Sequence, residues 1–226
     1  MTAALAALAA KALDYVPDGA RVGLGTGHAA EAFVHALAER VRQGLRVRGV
    51  PSSEETARLA RSLGLDLDTL ETDEPLAVTI DGADEVERGT LNLIKGRGGA
   101  LVRERIVAAA ARQQVILVTP DKLVDQLGEH GLVPVEVLPF AEPYCRRRLA
   151  AMGLQPALRC HDGAPFVSDN GNWILDCGVR PFGKAAGVLE FDLLALPGVV
   201  DTGLFLGTAS LVLVGHDGRV EEMRRP

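Results

Sequence analysis

Three carboxylates, Asp81, Asp84 and Glu85, fall within the run Thr79-Ile80-Asp81-Gly82-Ala83-Asp84-Glu85. An apolar run of strand length, 76–80, ends at the first of them. Acids at the carboxyl end of a buried strand are costly unless they are paired or used, and open α/β sheets bind ligands outside those strand ends. Three readings fit: oxygen ligands for a metal, an acid–base and hydroxyl-binding site, or an Asx-turn with a solvated helix cap. Further on, Lys95-Gly96-Arg97-Gly98-Gly99-Ala100 precedes a helical period. Glycines and cations before a helix suit an anion or an oxyanion, with Lys95 as a mobile charge; an ordinary loop with a solvated lysine is the plain alternative. Glu104 lies early in that helix, on one face with Leu101 and Ala108. A carboxylate there can also simply complement the helix dipole.

A second glycine-rich turn, Gly23-Leu24-Gly25-Thr26-Gly27-His28, follows a strand and opens a helix. In outline it is a phosphate cradle: glycines permit close backbone approach, the helix start offers free N–H groups, and Thr26 adds a hydroxyl. Dinucleotide binding is disfavoured, because His28 stands where a third glycine belongs and Val50-Pro51-Ser52-Ser53 offers no acid for a ribose. Thr119-Pro120-Asp121-Lys122 places another lysine at a strand end, as fitting for a surface turn as for a site.

Composition narrows the classes. The 226 residues are 47% hydrophobic and 24% charged, enough for a real core with no disorder signature. A net charge of −6 gives no basic footprint for nucleic acid. Five histidines (28, 35, 130, 161 and 216) show no ligand spacing, and Cys145, Cys160 and Cys177 form no Cys-x-x-Cys. Zinc and a disulfide framework are therefore not expected. Neither a Gly-x-Ser-x-Gly elbow nor a complete P-loop occurs. The alanine-rich start is interrupted by Lys11 and Asp14 and reads as a docking amphipathic helix, not a signal peptide. No apolar run approaches the ~20 residues of a membrane span. A cytoplasmic enzyme without membrane partners is expected.

These segments need a frame. Strands at 21–24, 45–50, 76–80 and 115–118 alternate with helices near 29–41, 54–63 and 101–112, which predicts βαβ units on a parallel sheet. After 133 the order becomes βαββαβ: strand 134–138, helix 143–152, strand 155–160, a turn at Ser168-Asp169-Asn170-Gly171-Asn172, strand 173–177, helix 187–196, strand 199–206. The expected fold is α/β, a Rossmann-like parallel-sheet domain (1–132 plus 206–226) carrying a smaller inserted ferredoxin-like α+β domain (133–205).

Taken together, Gly-Leu-Gly-Thr-Gly at 23–27, Asp-Gly-Ala-Asp-Glu at 81–85, Lys-Gly-Arg-Gly-Gly-Ala-Leu at 95–101 and Arg-Glu-Arg-Ile-Val at 103–107 resemble the type A ribose-5-phosphate isomerases. The likeness is collinear and continues through Pro-Val-Glu-Val at 134–137, the 168–172 turn and Pro-Gly-Val-Val at 197–200. It implies interconversion of D-ribose 5-phosphate and D-ribulose 5-phosphate in the pentose phosphate pathway, with no metal or cofactor. It implies Glu104 as the base moving a proton between C2 and C1, with Asp81 and Lys95 sharing the chemistry. Substrate contacts would come from Thr26, Gly27, His28, Ala29, Asp81, Gly82, Ala83, Asp84, Lys95, Gly96, Arg97, Gly98 and Lys122, and a homodimer or higher homo-oligomer is implied. Two segments depart from the family pattern. His28-Ala29 replace Ser-Thr in the phosphate loop, and Arg97 stands where a smaller residue is usual. Competing readings are a CoA transferase or sugar-phosphate deaminase on a related scaffold, and a non-catalytic sugar-phosphate sensor. The first lacks a long second half here, and the last would have no need of a base at Glu104.

Overall fold

The computed structural model describes residues 2–178 and 185–225. Its largest sheet has six strands, in the spatial order Arg219–Met223, Leu211–His216, Gln114–Val118, Val78–Gly82, Ala20–Leu24, Val47–Pro51. The last five run parallel and the first closes an antiparallel hairpin. Strands Gln114–Val118 and Leu211–His216 are almost wholly buried, as in sheets covered on both faces. Side-chain alternation divides the core. Val22, Leu24, Val78, Ile80, Val115 and Leu117 face helices α1 (Ala3–Ala12) and α2 (His28–Arg42). Ile116, Val118, Val212 and Val214 face the other way, toward Leu101 at the start of α4 (Leu101–Ala109). α1 docks through Ala4, Leu8, Ala9 and Ala12, one helical face, as its sequence predicts. Fully buried Leu8 alone contributes about 1.5–3 kcal/mol. α3 (Glu54–Ser62) follows the Val47–Pro51 strand and is capped by Ser53, whose hydroxyl accepts the Thr56 N–H.

Between Leu132 and Thr202 the longer elements run β-α-β-β-α-β, with a separate small hairpin of Cys160–His161 and Ala164–Pro165 inserted between the second and third strands. The longer strands form a separate antiparallel sheet in the order Val199–Thr202, Leu132–Val137, Trp173–Gly178, Gln155–Leu158. Its Val133, Val135, Val137, Leu175 and Cys177 bury α5 (Glu142–Ala151) and α6 (Ala186–Leu194). The opposite face, with Pro134, Glu136, Ile174 and Asp176, leans on the Lys95 loop and the start of α4.

Several boundaries differ from expectation. The strand ending in Asp81 is Val78–Gly82, so that carboxylate sits inside the sheet; main-chain pairing continues because Asp81 is opposite Ile116. The helix expected to reach 112 stops at Ala109; beyond it Leu76 N–H donates to the Ala110 carbonyl and the Leu76 carbonyl accepts Arg112 N–H. The strand expected over 199–206 is two: at Gly203 the chain crosses from one sheet to the next. Gly203 N–H donates to Pro134 O, its carbonyl accepts Lys95 N–H, and Leu204–Phe205 then pairs with Leu93–Ile94. That last pair belongs to a small sheet with Glu85–Glu87 and Leu123–Val124, too short to show periodicity.

Candidate active site

Strand Ala20–Leu24 connects through α2 to one neighbour, and Val78–Gly82 lies on its other side, so the strand order reverses between these two. Their carboxyl ends diverge there and leave a crevice, the usual ligand position in doubly wound sheets. Gly25 passes so close to Asp81 that a Cβ would overlap the carboxylate. Gly27, with φ +91°, turns the chain into α2. The result is an aspartate clamped by backbone: Asp81 Oδ1 accepts Thr26 N–H at 3.1 Å and Gly82 N–H at 2.7 Å.

Asp81 Oδ2 lies 3.1 Å from Lys95 Nζ, and Glu104 Oε1 lies 3.3 Å from the same nitrogen. Lys95 also donates to the Gly82 carbonyl at 2.6 Å. The three residues are 2%, 2% and 5% exposed, so these charges meet in a weakly screened environment. Burial alone would lower the Lys95 ammonium, but Asp81 and Glu104 more than reverse it and hold it above the ordinary lysine range. Burial pushes the Glu104 carboxyl up, to about 8, against the pull of Lys95, and Asp81 adds to the rise. Burial thus leaves Glu104 ready to hold a proton despite its contact with Lys95. Glu104 Oε2 is buried and has no hydrogen-bond partner among the described residues.

Lys95 and Glu104 line a cleft of about 590 Å³, and Asp81 touches it only through its pairing with Lys95. Its walls bring together the expected site residues except Asp81, which is buried behind Lys95: Thr26, Gly27, His28 and Ala29 from one turn, Gly82, Ala83 and Asp84 from the next, Gly96, Arg97 and Gly98 from the third, and Lys122. Asp84 Oδ2 accepts Arg97 N–H at 2.9 Å, tying the second and third turns together. His28 and Arg97 are exposed at the mouth. Glu85, one of the three clustered acids, turns elsewhere: its carboxylate accepts Gly128 N–H at 2.6 Å and His130 N–H at 2.7 Å. Asp81, Asp84 and Glu85 therefore do not converge as a metal-ligand set. Among the described residues no cluster of three or more His, Cys, Asp or Glu is placed to hold a metal ion.

Sequence reasoning missed part of the frame. The Thr26 hydroxyl sits in a network with Ser52 at 2.9 Å and Ser53 at 3.0 Å, and Thr56 donates to the Gly25 carbonyl at 2.8 Å. The Ser52-Ser53 pair was visible only as the absence of an acid. Arg103, beside Glu104, donates to Glu54, Asn170 Oδ1 and the Asp169 carbonyl, so the 168–172 turn grips the first turn of α4. Glu136 holds that turn from below through Ser168, Asn170 and Asn172. No local pattern could have joined residues this far apart in the chain.

A doubly wound α/β enzyme with a carboxylate–lysine–carboxylate centre at its topological switch point is the class that this fold and site define. The family model described as ribose 5-phosphate isomerase A (phosphoriboisomerase A) matches residues 48–219. The ribose-5-phosphate isomerase A of Gloeobacter violaceus is 50% identical over 213 residues, 94% of this chain and 92% of that protein. A structure of ribose 5-phosphate isomerase A from Methanocaldococcus jannaschii superposes with a TM-score of 0.93 at 39% identity, covering 98% of both chains. Another, a D-ribose-5-phosphate isomerase in complex with phospho-erythronic acid, gives 0.94 at 34% identity, again over 98% of each. The chain belongs to the ribose 5-phosphate isomerase A family.

Proposed function

We propose that this chain interconverts D-ribose 5-phosphate and D-ribulose 5-phosphate, with Glu104 carrying one proton between C2 and C1. The observation that carries the reading is Glu104 itself: one oxygen is held by Lys95 and the other is buried at the cleft wall without a partner among the described residues. In the open-chain aldose the C2–H is made acidic by the adjacent aldehyde. Glu104 takes that proton, and the C–H bonding electrons form the C1=C2 bond of an enediol(ate). The charge gathering on O1 is stabilised by the Lys95 ammonium. Glu104 then returns the proton to C1, while O2 gives up its proton and O1 acquires one, completing the ketose. A single carboxylate serves both steps because the two carbons are neighbours. Asp81 keeps Lys95 charged and in place, and Asp84 offers an acceptor for a sugar hydroxyl. The phosphate lies at the start of α2, against the Gly27, His28 and Ala29 backbone, within reach of Lys122.

The same reading takes residues 1–132 with 206–226 as the catalytic unit and 133–205 as a buttressing one. It places the chain in the cytoplasm, in the non-oxidative pentose phosphate interconversions, as a homo-oligomer. Phospho-erythronic acid, the ligand of the solved relative, carries a planar carboxylate where an enediolate would carry its charge, and it is expected to inhibit competitively. The deciding assay treats purified protein with a chelator and follows ribulose 5-phosphate formation from ribose 5-phosphate. Undiminished turnover is expected. No turnover, or turnover only after a divalent metal is added, would overturn the proposal.

A further inference from the structure

Arg159 lies outside the motifs of the cleft, yet it is tied to the loop that carries Lys95. The residue follows strand Gln155–Leu158 of the smaller sheet. Its guanidinium is gripped by Asp176 through Nε to Oδ2 at 2.9 Å and Nη2 to Oδ1 at 2.5 Å, a two-point pairing that fixes the plane of the fork. The remaining nitrogen, Nη1, donates to the Gly96 carbonyl at 2.9 Å and the Arg97 carbonyl at 3.0 Å. Both side chains are largely buried, at 15% and 20% exposure, and the guanidinium lies 5.7 Å from the Phe166 ring centroid.

Peptide planarity gives these two bonds a consequence. In a trans peptide the C=O and the following N–H point in opposite directions. With the Gly96 carbonyl drawn toward Arg159, the Arg97 N–H must point the other way, and it does, reaching Asp84 Oδ2 at 2.9 Å. With the Arg97 carbonyl drawn the same way, the Gly98 N–H is turned from Arg159 as well. Gly98 lines the cleft, and its N–H has no acceptor among the described residues.

We infer that Arg159 is a positioning residue for the isomerisation: by holding the Gly96 and Arg97 carbonyls it presents the Gly98 N–H to the cleft as a second donor, beside Lys95, for the oxygen that gains charge. Asp176 acts one step further back, by fixing the guanidinium. The inference rests on the isomerase reading above, and donors fixed in advance of the reaction are the kind that stabilise a developing oxyanion. A lysine cannot substitute, because one ammonium cannot match the fork of Asp176 and hold two carbonyls in the same geometry.

Arg159→Lys keeps a cation beside Asp176 and is the variant of choice; Asp176→Asn loosens the fork without removing it. For Arg159→Lys, kcat is expected to fall about 10–100-fold, somewhat less than the loss of a whole oxyanion donor. KM for ribose 5-phosphate should stay within about threefold, since the lost contact strengthens only as charge develops. The inhibition constant of phospho-erythronic acid should rise in step with the fall in kcat/KM, and Asp176→Asn should show the same pattern more weakly. Thermal melting and circular dichroism report the folded fraction, so that kcat is taken per folded molecule. Wild-type kcat per folded Arg159→Lys molecule, or a loss confined to KM, would overturn the inference. Wild-type protein without isomerase activity would overturn the underlying reading instead, so the two failures are distinguishable.

Discussion

The inner and outer ends of the cleft are built on opposite electrostatic terms. At the inner end, Asp81, Lys95 and Glu104 are buried and interlocked, each charge facing another across about one hydrogen-bond length. At the outer end, His28 and Arg97 are exposed, and Lys122 is partly exposed beside Asp121. Water and salt screen the outer charges, whereas the inner ones act in a weakly polarisable setting. Chemistry that must move a proton from carbon needs the first environment. Capture and release of a phosphate need only the second, together with the backbone N–H groups at the start of α2.

If that contrast holds, the largest effect belongs to the base. Glu104→Gln should lower kcat by about 10²–10⁴-fold while substrate still binds, measured by steady-state turnover alongside calorimetric titration. Near-normal turnover would remove Glu104 as the proton carrier and with it the distinction between the two ends.

The pH profile sharpens the comparison. Glu104 works as a base only when deprotonated, and burial raises its carboxyl to about 8. Activity should therefore rise with pH and level off above that value. In the free enzyme, kcat/KM should drop about tenfold for each pH unit below it. His28→Ala should leave this acid limb where it is. A limb that moves with His28 would mean that the outer end governs the titration.

The smallest effect is expected at the mouth. An exposed charge contact is worth about 0.2–1 kcal/mol, so His28→Ala should raise KM by no more than about fivefold, with kcat unchanged. Added salt should narrow the difference between variant and wild type. A large loss of kcat in that variant would place His28 inside the chemistry and break the division.

The same contrast explains what could be seen in advance. The inner residues were legible because strand-end acids and a lysine before a helix break the local rules for buried and loop positions. Asp81, Lys95 and Glu104 do meet, as the motifs imply. Glu85 shows the limit: its spacing matches that of Asp81 and Asp84, but a short strand points its carboxylate at Gly128 and His130. Arg159 shows the converse, since nothing in Leu158-Arg159-Cys160 signals a role and its importance arises from carbonyls in a distant loop.

By itself the sequence determined the alternation of apolar runs and helical periods, hence the parallel sheet and the strand ends where a ligand can bind. It also determined, through the glycine at 25, that backbone can pass close to Asp81, and, through the glycine at 27, that the chain can turn into α2. Only the tertiary structure decided which carboxylate shares Lys95, which oxygen of Glu104 is left without a partner, and which distant side chains hold the loops in place. Periodicity and turn chemistry act over a few residues and can be read from the chain. Desolvation and charge pairing depend on what packs alongside, and that is set when the smaller sheet closes over the Lys95 loop.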